Sequence, residues 1–263
     1  MVLSMDRWVG KVAIVTGASS GIGAAIADAL VENGLLVVGV ARRNELIEKR
    51  AKELSDKKGK LYAFKADLSR EDEILSAFKW TEDNLGHVHV LVNNAAFLSE
   101  ELLTEGNTET WRRGFDINVI ALCVATREAV KIMRKNDIKG HIVHINSISG
   151  HEVVALPGSN VYSATKFAVT ALTETLRQEL NTLGSKIKVT SVSPGLVVSE
   201  MTVLAKDISD ERRKIMEDRP ILQAEDIADG VVYVLSTPEH VQVHELTIKP
   251  VGESTSFVSQ INT

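Results

Sequence analysis

The chain has 263 residues, with 30 Lys+Arg against 35 Asp+Glu for a formal net charge of −5, and is 44% hydrophobic and 25% charged. That balance excludes an intrinsically disordered or collagen-like chain, and its acidic sign argues against a protein built to neutralise nucleic-acid phosphates. A lone cysteine, Cys123, makes neither an internal disulfide nor a Cys-rich metal site.

The length allows one or two domains. The longest apolar stretch, residues 35–41, is a strand's length and too short to cross a bilayer. Residues 1–11 carry Asp6 and Arg7 and no apolar h-region, so no signal peptide is expected. These readings predict a soluble, cytoplasmic protein.

Along the chain, short β-branched runs alternate with helical periodicity. A strand over 12–16 ends at Gly17, and a helix with Ile22, Ala25, Ile26, Ala29 and Leu30 on its stripe stops at Asn33-Gly34. Residues 35–41 predict a buried strand and 43–57 a charged helix. A strand over 60–65, a helix over 71–84 and a strand over 88–93 follow.

One long helix is predicted over 109–134, burying Phe115, Val119, Leu122, Ala129 and Met133. Next come a strand over 141–146, a helix over 161–183 and a strand over 187–192. The chain closes with a helix over 224–235 and a strand over 245–248. Strands apolar on both faces and separated by helices predict a mostly parallel seven-stranded sheet covered on each side. Right-handed crossovers make that a single doubly wound α/β domain of the Rossmann type spanning 1–263.

The first strand–turn–helix reads Thr16-Gly17-Ala18-Ser19-Ser20-Gly21-Ile22-Gly23. Glycines at 17, 21 and 23 allow a sharp turn and close backbone approach, and the helix start aims its N–H groups at a pyrophosphate. The alternative is a tight turn whose glycines serve packing alone. The second strand ends at Ala41-Arg42-Arg43, where an acidic residue would bind a free ribose 2′-hydroxyl. Two guanidinium groups there favour a 2′-phosphate, hence NADP over NAD. Otherwise they are a solvated pair at a helix start. Asp67-Leu68 falls where an adenine edge would rest, and Asp67 either accepts from the adenine amine or caps the next helix.

Tyr162 and Lys166 are four residues apart on one helix face. Free tyrosine has a pKa near ~10, and a neighbouring ammonium favours the phenolate a proton-transfer group needs. The fifth strand ends in Asn146-Ser147-Ile148-Ser149-Gly150, which puts hydroxyls at the carboxyl edge of the sheet, where ligands bind in this architecture. Asn118 lies inside the long helix, either buried to position a relay water or set on a solvated face. His141, His144 and His151 lack metal-ligand spacing and are expected at a strand edge or in a loop, with His151 able to line a substrate pocket.

Together, Thr16 to Gly23, Asn93-Asn94-Ala95, Asn118, Ser147, Tyr162-Ser163-Ala164-Thr165-Lys166 and Pro194-Gly195 resemble the short-chain dehydrogenases/reductases, over about residues 10–248. The resemblance implies Tyr162 as general acid/base, Ser147 orienting substrate, Lys166 tuning the tyrosine and Asn118 completing a proton relay. It implies NADP contacts from Gly17, Ser19, Ser20, Gly21, Ile22, Gly23, Arg42, Arg43, Asp67, Leu68, Asn94, Ala95, Tyr162, Lys166, Pro194, Gly195, Val197 and Ser199, and a substrate lid near 197–222.

Two departures stand out. Ala96 replaces the family's usual glycine, adding a methyl near the nicotinamide ribose. The Ser147–Tyr162 spacing is two residues longer than usual, so the common spacing selects Ser149. Ser147 is preferred because it stands three before Gly150 and an insertion within 151–160 accounts for the gap.

That loop and the run after Tyr162 resemble, more loosely, the subgroup of farnesol dehydrogenases and family member eleven. These are NADP-dependent enzymes acting on isoprenoid alcohols, steroids and other lipophilic carbonyls. Apolar residues on more than one face of helices 109–134 and 161–183 fit the family's homodimers and homotetramers. The resemblance thus predicts an NADP(H)-dependent alcohol dehydrogenase/carbonyl reductase with no metal and no nucleic-acid partner. The competing reading is a non-catalytic dinucleotide-binding redox sensor.

Overall fold

Strands apolar on both faces need cover on both, and the parallel sheet receives it. The computed structural model describes residues 3–153, 161–202 and 220–253. Strands β1 (Val12–Thr16), β2 (Leu36–Ala41), β3 (Lys60–Lys65), β4 (Val88–Asn93), β5 (His141–Ile145), β6 (Lys188–Pro194) and β7 (Glu245–Ile248) run in the order β3-β2-β1-β4-β5-β6-β7. Every pairing is parallel. The expected single doubly wound α/β domain is the observed architecture.

Helices α1 (Gly21–Glu32), α2 (Asn44–Glu53) and α7 (Ala224–Ser236) cover one face, with Ile26, Leu30, Ile47, Ile227 and Val231 in its core. Helices α3 (Glu71–Leu85), α5 (Ala121–Lys135) and α6 (Tyr162–Thr182) cover the other, around Ile74, Phe78, Ala125, Met133 and Leu180. Strand order reverses at β1 and β4, so the crevice at their carboxyl ends is the topological switch point where ligands bind in such sheets.

The long helix expected over 109–134 is three pieces: α4 (Thr108–Phe115), a π-helical segment Asp116–Ile120, and α5. A π turn holds an extra residue, so it rotates the turn before it relative to α5. Phe115 consequently leaves the buried stripe and is 39% exposed, whereas Val119, Leu122, Ala129 and Met133 are buried as expected.

A second correction concerns His141 and His144. They lie on the interior strand β5, buried within the core rather than at an edge or in a loop. His141 Nε2 pairs with Thr190 Oγ1 and His144 Nδ1 with Thr173 Oγ1, each at 2.8 Å. Burial holds both imidazoles in the neutral form, pushing His144 down to about 3 and His141 well below the ordinary histidine value.

Candidate active site

The β1–α1 turn is shaped by what its glycines avoid. A Cβ on Gly17 would lie 2.9 Å from the Ala95 Cα, and one on Gly23 would meet the Asn94 Nδ2 at 2.3 Å and the Gly17 carbonyl at 2.4 Å. Strand ends β1 and β4 are thereby drawn together. Thr16 Oγ1 accepts from the backbone N–H of Asn94 (3.0 Å) and Ala95 (3.1 Å), while Asn94 Nδ2 donates to the Thr16 carbonyl at 2.9 Å.

Ser20 precedes α1 without spending its side chain on a cap, so the helix start and the glycine turn form an anion cradle. Ser199 closes its mouth: the Ser199 Cβ lies 3.3 Å from where a Cβ on Gly21 would be. This glycine cradle fits a dinucleotide pyrophosphate.

At the end of β2, Arg42 and Arg43 are exposed. Arg43 Nη2 donates to Ser20 Oγ at 3.1 Å and to Glu200 Oε2 at 2.5 Å, and the Ser20 hydroxyl donates to the same carboxylate oxygen at 2.9 Å. Asp67 Oδ1 accepts from the Ser69 N–H (3.0 Å) and hydroxyl (2.8 Å), capping the turn before α3. Its pKa is lowered chiefly by the Ser69 backbone bond, with Arg42 and Arg113 adding to the effect. Asp67 and Leu68 are both half-buried beside that turn.

Tyr162 opens α6, and Lys166 follows one turn later with Nζ 5.7 Å from the Tyr162 ring centroid. Lys166 is buried, 3% exposed, and its ammonium donates to the Ile145 carbonyl at the end of β5 (2.9 Å). Burial pushes its pKa down to about 8, which still leaves it charged at neutral pH.

Two residues beyond Ile145, Ser147 caps the 3₁₀ turn Ile148–Gly150, its Oγ accepting from the Ser149 N–H at 3.1 Å. That contact uses a lone pair and leaves the Ser147 hydroxyl proton available. Ser147 is half-buried, whereas Ser149 is buried within the turn.

Asn118 sits in the π segment and is 3% exposed, not on a solvated face. Its amide clamps Phe97: the Phe97 N–H donates to Oδ1 at 2.6 Å, and Nδ2 donates to the Phe97 carbonyl and to Thr165 Oγ1, each at 2.9 Å. Thr165 in turn donates to the Tyr162 carbonyl at 2.7 Å. The amide is therefore engaged by protein groups on both its oxygen and its nitrogen. Its place is to fasten the segment after β4 to α6, with Phe97, Asn118, Tyr162 and Thr165 bounding one small cavity.

Pro194 ends β6, and the Gly195 N–H donates to the Ile248 carbonyl at 2.7 Å. Val197 is buried in the core on the α1 side, and Ser199 Oγ lies 3.1 Å from Thr202 Oγ1. His151 turns toward Ser193 Oγ (3.0 Å) and Glu245 (3.5 Å), so its side chain ties the loop to β6 and β7. Residues 203–219 of the expected lid and 154–160 of the inserted loop lie outside the described residues.

Three residues at the site have no role in the sequence motifs. Thr16 carried a signal, as a hydroxyl ending an otherwise apolar strand. Thr165 stood unremarked inside the Tyr–Lys run, and Glu200, 157 positions from Arg43, gave no local signal.

A parallel sheet with a glycine cradle at its switch point and a buried lysine beside a tyrosine defines a nucleotide-binding oxidoreductase fold. The chain belongs to the short chain dehydrogenase family, which matches residues 11–209. It is 51% identical over 251 residues to the farnesol dehydrogenase of Aedes aegypti, covering 95% of this chain and 99% of that protein. To dehydrogenase/reductase SDR family member 11 of Gallus gallus it is 47% identical over 250 residues, covering 94% and 98%. Among solved structures it resembles an alcohol dehydrogenase from Thermococcus sibiricus complexed with 5-hydroxy-NADP, at TM-score 0.81 and 25% identity, covering 93% and 98%. The resemblance to the farnesol dehydrogenase and member-eleven subgroup is thus borne out.

Proposed function

We propose that the protein is an NADP(H)-dependent oxidoreductase that interconverts a lipophilic alcohol and its carbonyl. The observation that carries this reading is the buried Lys166 ammonium 5.7 Å from the Tyr162 ring. A positive charge in a water-poor site favours the phenolate, so Tyr162 takes the hydroxyl proton in oxidation and returns it in reduction. Ser147, with its hydroxyl proton uncommitted, orients the reacting oxygen and stabilises charge developing on it. Asn118 is a positioning residue that holds the Phe97 backbone and Thr165 against the Tyr162 turn.

Bound in the cradle, the nicotinamide cofactor supplies or accepts the hydride. Gly17, Gly21 and Gly23 admit its pyrophosphate, Asp67 and Leu68 flank the adenine, and Arg42, Arg43 and Ser20 receive the 2′-phosphate. Asn94, Ala95, Lys166, Gly195 and Ser199 border the nicotinamide half. Support for NADP comes from the Arg43–Ser20 pair and from the 5-hydroxy-NADP held by the Thermococcus sibiricus enzyme.

The apolar Phe97, Leu98 and Val161 beside Tyr162 support a lipophilic substrate, as does the farnesol for which the mosquito relative is named. A lid over 197–222 excludes water in this reading. Phe115, Ile120 and Phe167, 39%, 53% and 41% exposed along α4 to α6, support a homodimer or homotetramer. No described helix is long and apolar enough to cross a membrane, and a cytoplasmic location is part of the proposal.

The test is a panel of isoprenoid, steroid and small carbonyl compounds assayed with NADPH and with NADH. Turnover of lipophilic members with NADPH preferred supports the reading. Tight NADPH binding with no turnover across the panel favours the sensor instead.

A further inference from the structure

We propose that Glu200 is an internal anion guarding the cofactor cradle, which a 2′-phosphate must displace from Ser20 and Arg43. The inference rests on the NADP reading above and adds a competitor for the same donors. Its basis is the convergence of a loop carboxylate on both groups: Ser20 Oγ and Arg43 Nη2 each donate to Glu200 Oε2, at 2.9 and 2.5 Å, and Arg43 Nη1 reaches Oε1 at 3.4 Å. A two-nitrogen grip on two carboxylate oxygens plus a hydroxyl is also the donor set that suits a phosphate monoester.

The carboxylate does not stand alone. Its neighbour Ser199 lies against the start of α1, so the turn carrying Glu200 covers the cradle itself. The residues leading into Glu200 are held independently: the Leu222 N–H donates to the Leu196 carbonyl and the Val198 N–H to the Leu222 carbonyl, both at 2.9 Å. A cofactor without the 2′-phosphate brings no phosphate to compete for Arg43, so the competition distinguishes NADP from NAD.

Both side chains of the pair are about half exposed (48% and 50%), so the competing contact is weak. Removing its charge should change affinity by about two- to fivefold.

Equilibrium binding by calorimetry at fixed ionic strength is the test. The ligands are NADPH and NADH, with adenosine 2′,5′-bisphosphate and adenosine 5′-monophosphate as probes of the 2′-phosphate alone. E200Q and E200A should tighten NADPH and the bisphosphate about two- to fivefold and leave NADH and the monophosphate unchanged. In an R43A background, where only Ser20 still holds the carboxylate, the effect of E200Q on NADPH should shrink. Unchanged or weakened NADPH binding in E200Q overturns the proposal, as does an equal gain for both cofactors. If R43A lowers the preference for NADPH while E200Q does nothing, the guard is wrong and the NADP reading stands. If R43A leaves that preference intact the guard fails, and if the R42A/R43A double variant also leaves it intact the NADP reading fails with it.

Discussion

The side-chain amide of Asn118 satisfies both backbone polar groups of Phe97, accepting from its N–H at 2.6 Å and donating to its carbonyl at 2.9 Å. A π-helical turn in the middle of an α-helix presents that amide to the segment after β4. Its third contact, to Thr165, continues to the Tyr162 carbonyl, so one buried side chain registers the β4 loop against the Tyr162 turn of α6.

Asn118→Ala leaves the Phe97 N–H and carbonyl without their partner in a part-buried setting. It should cost about 1–3 kcal/mol in denaturant unfolding. Turnover should fall with it, because the Tyr162 turn loses its brace, while NADPH affinity changes less. An N118A protein as stable as wild type would contradict the clamp.

Gly23→Ala tests the close approach at the cradle. The new methyl would sit 2.3 Å from Asn94 Nδ2 and 2.4 Å from the Gly17 carbonyl, so the β1–β4 junction must shift. A loss of about 1–3 kcal/mol and at least a tenfold weakening of NADPH binding are expected. Gly10→Ala is the matched control: φ is +72° there but no atom lies within 4 Å of the added Cβ. It should cost only about 1 kcal/mol and leave NADPH binding alone.

Lys166 is held charged at a cost to folding, and the pH dependence follows from the direction of its shift. Its pKa is about 8 in the folded protein against 10.5 for an ordinary lysine. Between those values the unfolded chain binds the proton and the folded chain does not, so this group's contribution makes stability rise with pH. Below about 8 the full burial cost is present. Lys166→Met should therefore stabilise the cofactor-free protein at pH 7 by roughly 1–3 kcal/mol while abolishing turnover. The stability gap between variant and wild type should close as pH rises from 8 to 10.5. Urea titrations across that range check it, and a gap that widens with pH would contradict the assignment.

Much of the fold was legible because a doubly covered parallel sheet writes itself as β-branched runs. Strands β3, β4 and β7 lie where the periodicity places them, over 60–65, 88–93 and 245–248. The cradle glycines were legible too, since a tight turn restricts residue choice locally. The π segment was not: Asp116–Ile120 reads as ordinary helix, and its extra residue answers to the Phe97 and Thr165 contacts made elsewhere in the fold. The same holds for Phe115, whose exposure follows from that turn. His141 and His144 look polar in sequence yet lie in the core, where threonines on neighbouring elements pair with one nitrogen of His141 and both of His144. Glu200 was invisible for a related reason, since its partners Ser20 and Arg43 come from the far end of the chain.

In the proposed reaction a proton moves through the Tyr162 hydroxyl. The most direct measurement pairs steady-state NADPH oxidation with NADPH binding in Tyr162→Phe, using the best carbonyl substrate from the panel. Removing the hydroxyl should lower kcat by at least about 10²-fold while leaving the Kd for NADPH within about threefold of wild type. A Y162F protein that turns over at close to the wild-type rate would contradict the central claim.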